Sequence, residues 1–537
     1  MPKIAKIAVH PSFKIGKLSP RLYGGFLEPI GTMVNGNMFN PKHPTADEQG
    51  FRRDWIEALK AAGIPSVRLP GGNFISGWDW KDSIGPKDKR KTHLDLAWFQ
   101  YITNEVGHDE YLQWAEKCGF EPMYTINLGT GDINDAIYIT EYTNHKGGTY
   151  WSDLRRQYGH EDPYGVKIWY LGNEADGPWQ IASWDKDPRG YGVKAHEVSK
   201  AMKWVDSTIE TAVCVSSSPY LDHYPDWDRQ VLEQCYEAVD YISLHHYHTV
   251  PLGDLPTLLA SSVYFEDYIN TEIALCDYIA TKNRSQHVMK LSFDEYGNSM
   301  RAPKGYEYGI TQERYFQRGA QNHSPREYIL HDPDNMGSGM RFKRPYGEIV
   351  DICTTASTLM TFMRHADRVE IGCMTGGLGA YAACNHDHVW KGGLYHLFQQ
   401  LRAYGVGTSM RTAVDCDTFD VPAYGCDKFH MYDAREGLPF IESAAALDDE
   451  TGALNIFVLN RNWESDNDAV IDAASFAGYK FREHIELYSD DIMASNSFEN
   501  PGAILPKANT ATHTGDDGMV HANLKKLSWN VFRFEKE

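Results

Sequence analysis

Two glutamates, Glu174 and Glu295, each close an apolar run, KIWYLGNE (167–174) and VMKLSFDE (288–295), where a solvated surface charge would not normally sit. A carboxylic acid that can protonate a leaving oxygen and a carboxylate that can attack an anomeric carbon are the pair that glycosidic hydrolysis needs, about 5 Å apart when configuration is retained. A single strand-end glutamate serves equally well as half of a buried structural ion pair. Two of them, with polar companions at matching strand ends, favour chemistry.

Two other constellations carry less. In the run His245, His246, Tyr247, His248, only His246 and His248 would share a strand face as metal ligands, and no acidic ligand lies close in sequence, so no metal is expected. Ser216, Ser217 and Ser218 lack the GxSxG elbow of a nucleophilic serine and read as loop hydroxyls.

For the two glutamates to meet, the elements between them must bring strand ends to one place. Eight short apolar, β-branched or aromatic runs recur: RLYGGFLE (21–28), SVRLP (66–70), EPMYTINLG (121–129), KIWYLGNE (167–174), TAVCVSSS (211–218), DYISLHHY (240–247), VMKLSFDE (288–295) and RVEIGCM (368–374). Helical periodicity fills the spaces, as in DEQGFRRDWIEALKAAG after Thr45 and in DEYLQWAEKCG from Asp109, which closes on Gly119. Eight alternations predict an α/β chain, a (β/α)₈ TIM barrel over 20–406. The glutamates are 121 residues apart, three βα units of about 40 residues, which puts them on strands four and seven across the barrel mouth.

After the helical segment GGLYHLFQQLRAYG (392–405), short alternating strands such as GALNIFVLNRN and LSWNVFRFEKE predict an appended antiparallel, jelly-roll-like β-sandwich, formed by 407–537 with 1–19. The connection 296–349 is far longer than an ordinary βα loop and suits a lid or a subunit contact.

With 52 Lys plus Arg against 73 Asp plus Glu, a net charge of −21 and no basic runs, nucleic acid is not an expected partner. No stretch of 18 apolar residues occurs, and MPKIAKIAVHPSFKIGKLSP lacks a signal-peptide apolar core, so a cytoplasmic location without membrane contact is expected. Nine scattered cysteines without a CxxC pair read as reduced thiols rather than zinc ligands or a disulfide framework. No cofactor is expected.

Four longer motifs go further. WYLGNEADGPWQ (169–180), RLPGGNFISGWDW (68–80), YGGFLEPIG (23–31) and HLDLAWFQYITNEVG (93–107) together resemble glycoside hydrolase family 51, the α-L-arabinofuranosidases of a large retaining (β/α)₈ clan. The resemblance implies that Glu174 is the general acid/base and Glu295 the nucleophile. It implies that Glu28, Asn73 and Asn173 hold the arabinofuranose hydroxyls and that Tyr247 hydrogen-bonds the nucleophile. His245 falls in the same pocket, and Trp98 resembles an aromatic platform near the leaving group. The expected activity is release of non-reducing terminal α-L-arabinofuranosyl residues from arabinan- or arabinoxylan-type oligosaccharides and polysaccharides, by an enzyme that forms homo-oligomers.

The sequence departs from the family pattern in FDEYGNSM, where a tryptophan and a second aromatic residue are expected after the glutamate, and in EIGCMTGGLGAY, where glycine stands for a sugar-binding glutamine. These departures leave a β-galactofuranosidase or an endo-glucanase of the same clan as alternatives. A non-catalytic carbohydrate-binding protein is a third.

Overall fold

The computed structural model describes residues 3–98, 100–301, 346–427 and 430–537. Eight strands close a parallel barrel: Gly24–Phe26, Ser66–Leu69, Glu121–Ile126, Ile168–Leu171, Glu210–Cys214, Tyr241–Pro251, Lys290–Arg301 and Val369–Met374, here strands one to eight. Strand eight returns to strand one with Cys373 opposite Gly24, which completes the ring. Each of the eight apolar runs supplies one strand.

Side chains of alternating strand positions fill the barrel interior. Phe26, Met123, Ile168, Tyr170, Ala212, Tyr241, Ile371 and Cys373 form its packed floor. Opposite positions pack against the surrounding helices, so both faces of the short strands are buried.

The helix expected after Thr45 is shorter than its periodicity suggested, Arg53–Ala62. Gly50 has φ 93°, and the Asp47 carboxylate accepts the backbone N–H groups of Gln49 and Phe51, which holds residues 47–51 in a turn. The second helix, His108–Cys118, ends on Gly119 in the left-handed conformation, as its sequence predicted.

Strands six and seven run beyond the barrel rim as a parallel ribbon, from Glu295 opposite His245 to Arg301 opposite Pro251. The lid or subunit contact expected over 296–349 falls largely on 302–345, outside the described residues.

A ten-stranded sheet wraps a second core containing Ile7, Ile456, Ile471 and Phe532. Strand Ala5–Lys17 lies inside it, antiparallel to Thr408–Asp415 and parallel to Asn467–Asp472. Where the sheet meets the barrel, two of its own residues form a buried ion pair, Arg461 Nη1 to Glu442 Oε1 at 2.8 Å, that barrel residues then bond. Ser357, on helix Glu348–Arg364, donates to Glu442 at 2.6 Å, and Arg461 donates to the Leu259 carbonyl at 2.9 Å. Among the described residues no helix is long and apolar enough to cross a membrane.

Candidate active site

The two glutamates reach the barrel mouth by different backbone devices. Strand four stops at Leu171, so Glu174 lies three residues beyond the strand rather than at its last position. Gly172 at φ 101° and Glu174 itself at φ 42° bend the chain, and neighbouring Asn173 and Glu174 both end up at the mouth, the first buried and the second with its side chain 10% exposed. A non-glycine residue in this left-handed region stores strain, a feature that concentrates at functional sites.

Strand seven uses a β-bulge. Ser292 faces Ser243 and Glu295 faces His245, while on the other edge Phe293 faces Gly372 and Tyr296 faces Met374. One extra residue therefore sits between Ser292 and Glu295 and resets the alternation. Phe293 and Tyr296 pack outward on Phe362, whereas the consecutive residues Asp294 and Glu295 both turn inward to Arg68.

Arg68 organises the floor of the site. Its Nη1 donates to Glu295 Oε1 at 2.8 Å, its Nη2 to Asn173 Oδ1 at 2.6 Å, and its Nε lies 3.0 Å from Asp294 Oδ2. The guanidinium is fully buried, between the rings of Phe26 and Tyr170. Burial alone would favour its neutral form, but Asp294 and Glu295 more than offset that and its pKa is raised.

Above it, Tyr247 donates to Glu295 Oε2 at 2.6 Å and shares a 2.8 Å hydrogen bond with Thr375 at the end of strand eight. Burial, reinforced by the Glu295 charge, raises the Tyr247 pKa and keeps the phenol proton in place to be donated. His245 Nδ1 lies 3.0 Å from Glu174 Oε1 and 3.7 Å from Glu295 Oε2, and its Nε2 lies 3.2 Å from Asp294 Oδ2. Burial opposes a charged imidazole here, but Glu295 and Asp294 outweigh it and raise its pKa to about 10.

Burial raises the pKa of Glu174, with His245 pulling the other way. Asp294 stays below the ordinary carboxylate range although buried, because Arg68 and His245 stabilise its charge. Glu174 also accepts a hydrogen bond from Trp179 Nε1.

The sugar-facing residues assemble on the other wall. Glu28 Oε1 accepts from Trp98 Nε1 at 2.6 Å and from the Phe74 N–H at 3.3 Å. Its pKa is raised well above normal by burial and then by the Glu295 charge. Asn73 Oδ1 accepts from Asn173 Nδ2 at 2.9 Å and also from Gln180. Gly72 is required, because a Cβ there would lie 1.9 Å from the Glu28 carboxyl carbon and its φ is 92°.

A cavity of about 440 Å³ opens over this wall, and Glu28, Asn73, Trp98, Glu174, Tyr247 and Glu295 line it. Asn173 and His245 lie behind the lining, 2% and 1% exposed. All eight residues singled out in the sequence thus converge on one site.

Arg68, Asp294, Trp179, Gln180 and Thr375 were not singled out. Arg68 had a usable signal, an arginine inside the apolar run SVRLP, since a buried guanidinium demands carboxylate partners. Where the glutamine was expected, strand eight instead contributes Met374, Thr375 and Gly376 to the cavity. His246 and His248 face away from it, packed on Phe265 and Tyr264. Ser216 donates to Asp228 at 2.6 Å and acts as a loop hydroxyl.

A cation would find one ligand atom each on Glu174, His245 and Glu295, all within 4.8 Å of one another. The imidazole is held protonated, which favours a proton over a metal at this position.

Comparison with known proteins agrees with the geometry. The α-L-arabinofuranosidase 1 domain matches residues 58–268 and the α-L-arabinofuranosidase C-terminal domain residues 326–528. The intracellular exo-α-(1→5)-L-arabinofuranosidase 1 of Bacillus subtilis is 37% identical over 541 residues, covering 100% of both chains. This chain belongs to glycoside hydrolase family 51. An exo-α-(1→6)-L-arabinofuranosidase of Bifidobacterium longum is 31% identical, over 98% of this family 51 chain and 96% of its own length. The structure of a family 51 α-L-arabinofuranosidase from Bifidobacterium longum superposes with a TM-score of 0.83 at 28% identity, covering 100% of each chain.

Proposed function

We propose that this glycoside hydrolase is an intracellular exo-α-L-arabinofuranosidase that removes non-reducing terminal arabinofuranosyl residues from arabinan- or arabinoxylan-type oligosaccharides and polysaccharides by double displacement. One observation carries the mechanism: a carboxylate oxygen of Glu174 lies within 4.8 Å of one of Glu295. That spacing suits direct attack by one of them and leaves too little room for a water between the two. Relatives named as intracellular exo-arabinofuranosidases support the sugar, the exo mode and the location.

The roles divide by environment. Glu174, its pKa raised by burial, is the acid. Its Oε1 accepts the His245 N–H, which leaves the proton on Oε2, the oxygen beside Trp179. Glu295 is the nucleophile, with Arg68 on one oxygen and Tyr247 on the other. Two cations, Arg68 and His245, face two anions, Asp294 and Glu295, so neutral Glu174 leaves the cluster without net charge.

Glu174 protonates the departing oxygen while Glu295 attacks the anomeric carbon. The covalent bond neutralises Glu295 as Glu174 becomes an anion beside His245, so the cluster's charge is conserved. Glu174 then takes a proton from water, which displaces Glu295 from the sugar with overall retention.

Proton NMR of the first product formed from an aryl α-L-arabinofuranoside tests this, with the α anomer expected. Initial formation of the β anomer would overturn the double displacement.

A further inference from the structure

Among the described residues, no strand pairs with one edge of the ribbon that carries Tyr247. Strand five accompanies strand six only as far as Cys214 opposite Ser243, whereas strand seven continues to Arg301 opposite Pro251. The backbone groups of residues 247 and 249 that point away from strand seven therefore need another partner.

That partner is a phenol from the C-terminal part of the chain. The Thr249 N–H donates to Tyr432 Oη at 3.1 Å, and the same hydroxyl donates to the Tyr247 carbonyl at 3.3 Å. One side chain thus satisfies a donor and an acceptor as a neighbouring strand would. Tyr432 closes the short strand His430–Tyr432 and is 4% exposed. Its ring is fixed on four sides, by His248 and Tyr264 at 4.7 Å and by Tyr220 and Tyr424 at 4.9 Å between centroids. A hydroxyl on so constrained a ring is a rigid post.

We propose that Tyr432 is a positioning residue for the nucleophilic step, setting the place of Tyr247 and through it the 2.6 Å hydrogen bond that holds Glu295. The proposal rests on Glu295 being the nucleophile of the furanosidase reaction described above. It gives the C-terminal part of the chain a share in catalysis, although Tyr432 does not line the cavity.

A double-mutant cycle of Tyr432→Phe and Tyr247→Phe tests it on an aryl α-L-arabinofuranoside with a good leaving group. There kcat/KM reports formation of the covalent intermediate and is insensitive to the acid. Tyr432→Phe keeps the ring and its packing, so its melting temperature is expected to stay close to wild type. Its kcat/KM is expected to fall about tenfold, mostly in kcat, since a small misplacement of a catalytic group costs that much or more. In the Tyr247→Phe background the same change is expected to cost less than about twofold, because no hydroxyl remains to be positioned.

Tyr220→Phe, on the same ring cluster, is the control for general loosening and should stay within about twofold of wild type. An equal loss from Tyr432→Phe in both backgrounds, or no loss in the first, would overturn the proposal while leaving the functional reading intact. A wild-type protein inert on every furanoside would instead sink the functional reading and this proposal with it.

Discussion

His245 touches both carboxylates of the proposed reaction, and its positive charge is one of the influences that lower the pKa of Glu174 against burial. Catalysis requires protonated Glu174, so kcat/KM falls as pH rises through its pKa. Removing the cation in His245→Asn is expected to raise that pKa and move the basic limb of the kcat/KM profile to higher pH, in step with a lower maximum. A limb that stays put or moves down would remove His245 from the proton balance. Glu174→Ala separates the glutamates' roles: we expect losses on the order of 10²–10⁴ on substrates with poor leaving groups and a much smaller loss on activated aryl glycosides. Equal losses on both would contradict the acid assignment. The protonated imidazole also bears on metals, since EDTA treatment is expected to leave kcat and KM unchanged. A loss restored by a divalent ion would reassign the three-ligand cluster.

At the scale of elements, the barrel was legible because its signals are repetitive: eight apolar runs, spaced by helical segments, each with turn residues at its end. What the sequence concealed are single-residue events that leave no periodic trace. In VMKLSFDEYG the Asp294–Glu295 pair reads as one inward and one outward residue under strict alternation, and only the bulge explains how both meet Arg68. The turn after Leu171 was hidden in the same way, because nothing in WYLGNE announces that Glu174 takes a left-handed backbone. The site residues were legible through their long motifs, while Arg68, lodged in a strand, was read as part of a strand. Gly72 lies between these cases: its need for positive φ is readable from its type, but its packing against Glu28 is not. Gly72→Ala is expected to displace Glu28 and raise KM at least about tenfold, with the melting temperature little changed, because the strain falls on a rim turn rather than the core. An unchanged KM would show that the Glu28 carboxylate is not needed for sugar binding.

Barrel and sheet share one apolar core, where Phe457, Leu459, Trp529 and Val531 of the sheet pack with the barrel, and a few buried polar joints lie beside it. Arg461→Met leaves Glu442 buried and unpaired between sheet and barrel, and breaking such a pair typically costs about 3–5 kcal/mol. We expect a melting temperature several degrees lower, with barrel and sheet still unfolding together; two separate transitions would show that the joint does not couple them. Acid acts on the molecule elsewhere. Burial lowers the pKa of His108 to about 3, and that of His484 to about 4. Below the unfolded value of about 6.5 the unfolded chain binds protons that the folded chain refuses. Stability should therefore fall as pH drops from about 6.5 towards 4, and His108→Gln should flatten part of that slope in melts across this range.

The strand Ala5–Lys17 carries a consequence for biosynthesis. It leaves the ribosome about 450 residues ahead of Asn467–Asp472, one of its two partners, which at roughly 5–20 residues per second is a delay of about 20 to 90 seconds. Throughout that time an open strand edge is on offer to any other nascent chain. Lys6, Lys14 and Lys17 along it are exposed and place charge where a foreign strand would dock, a feature that disfavours edge pairing.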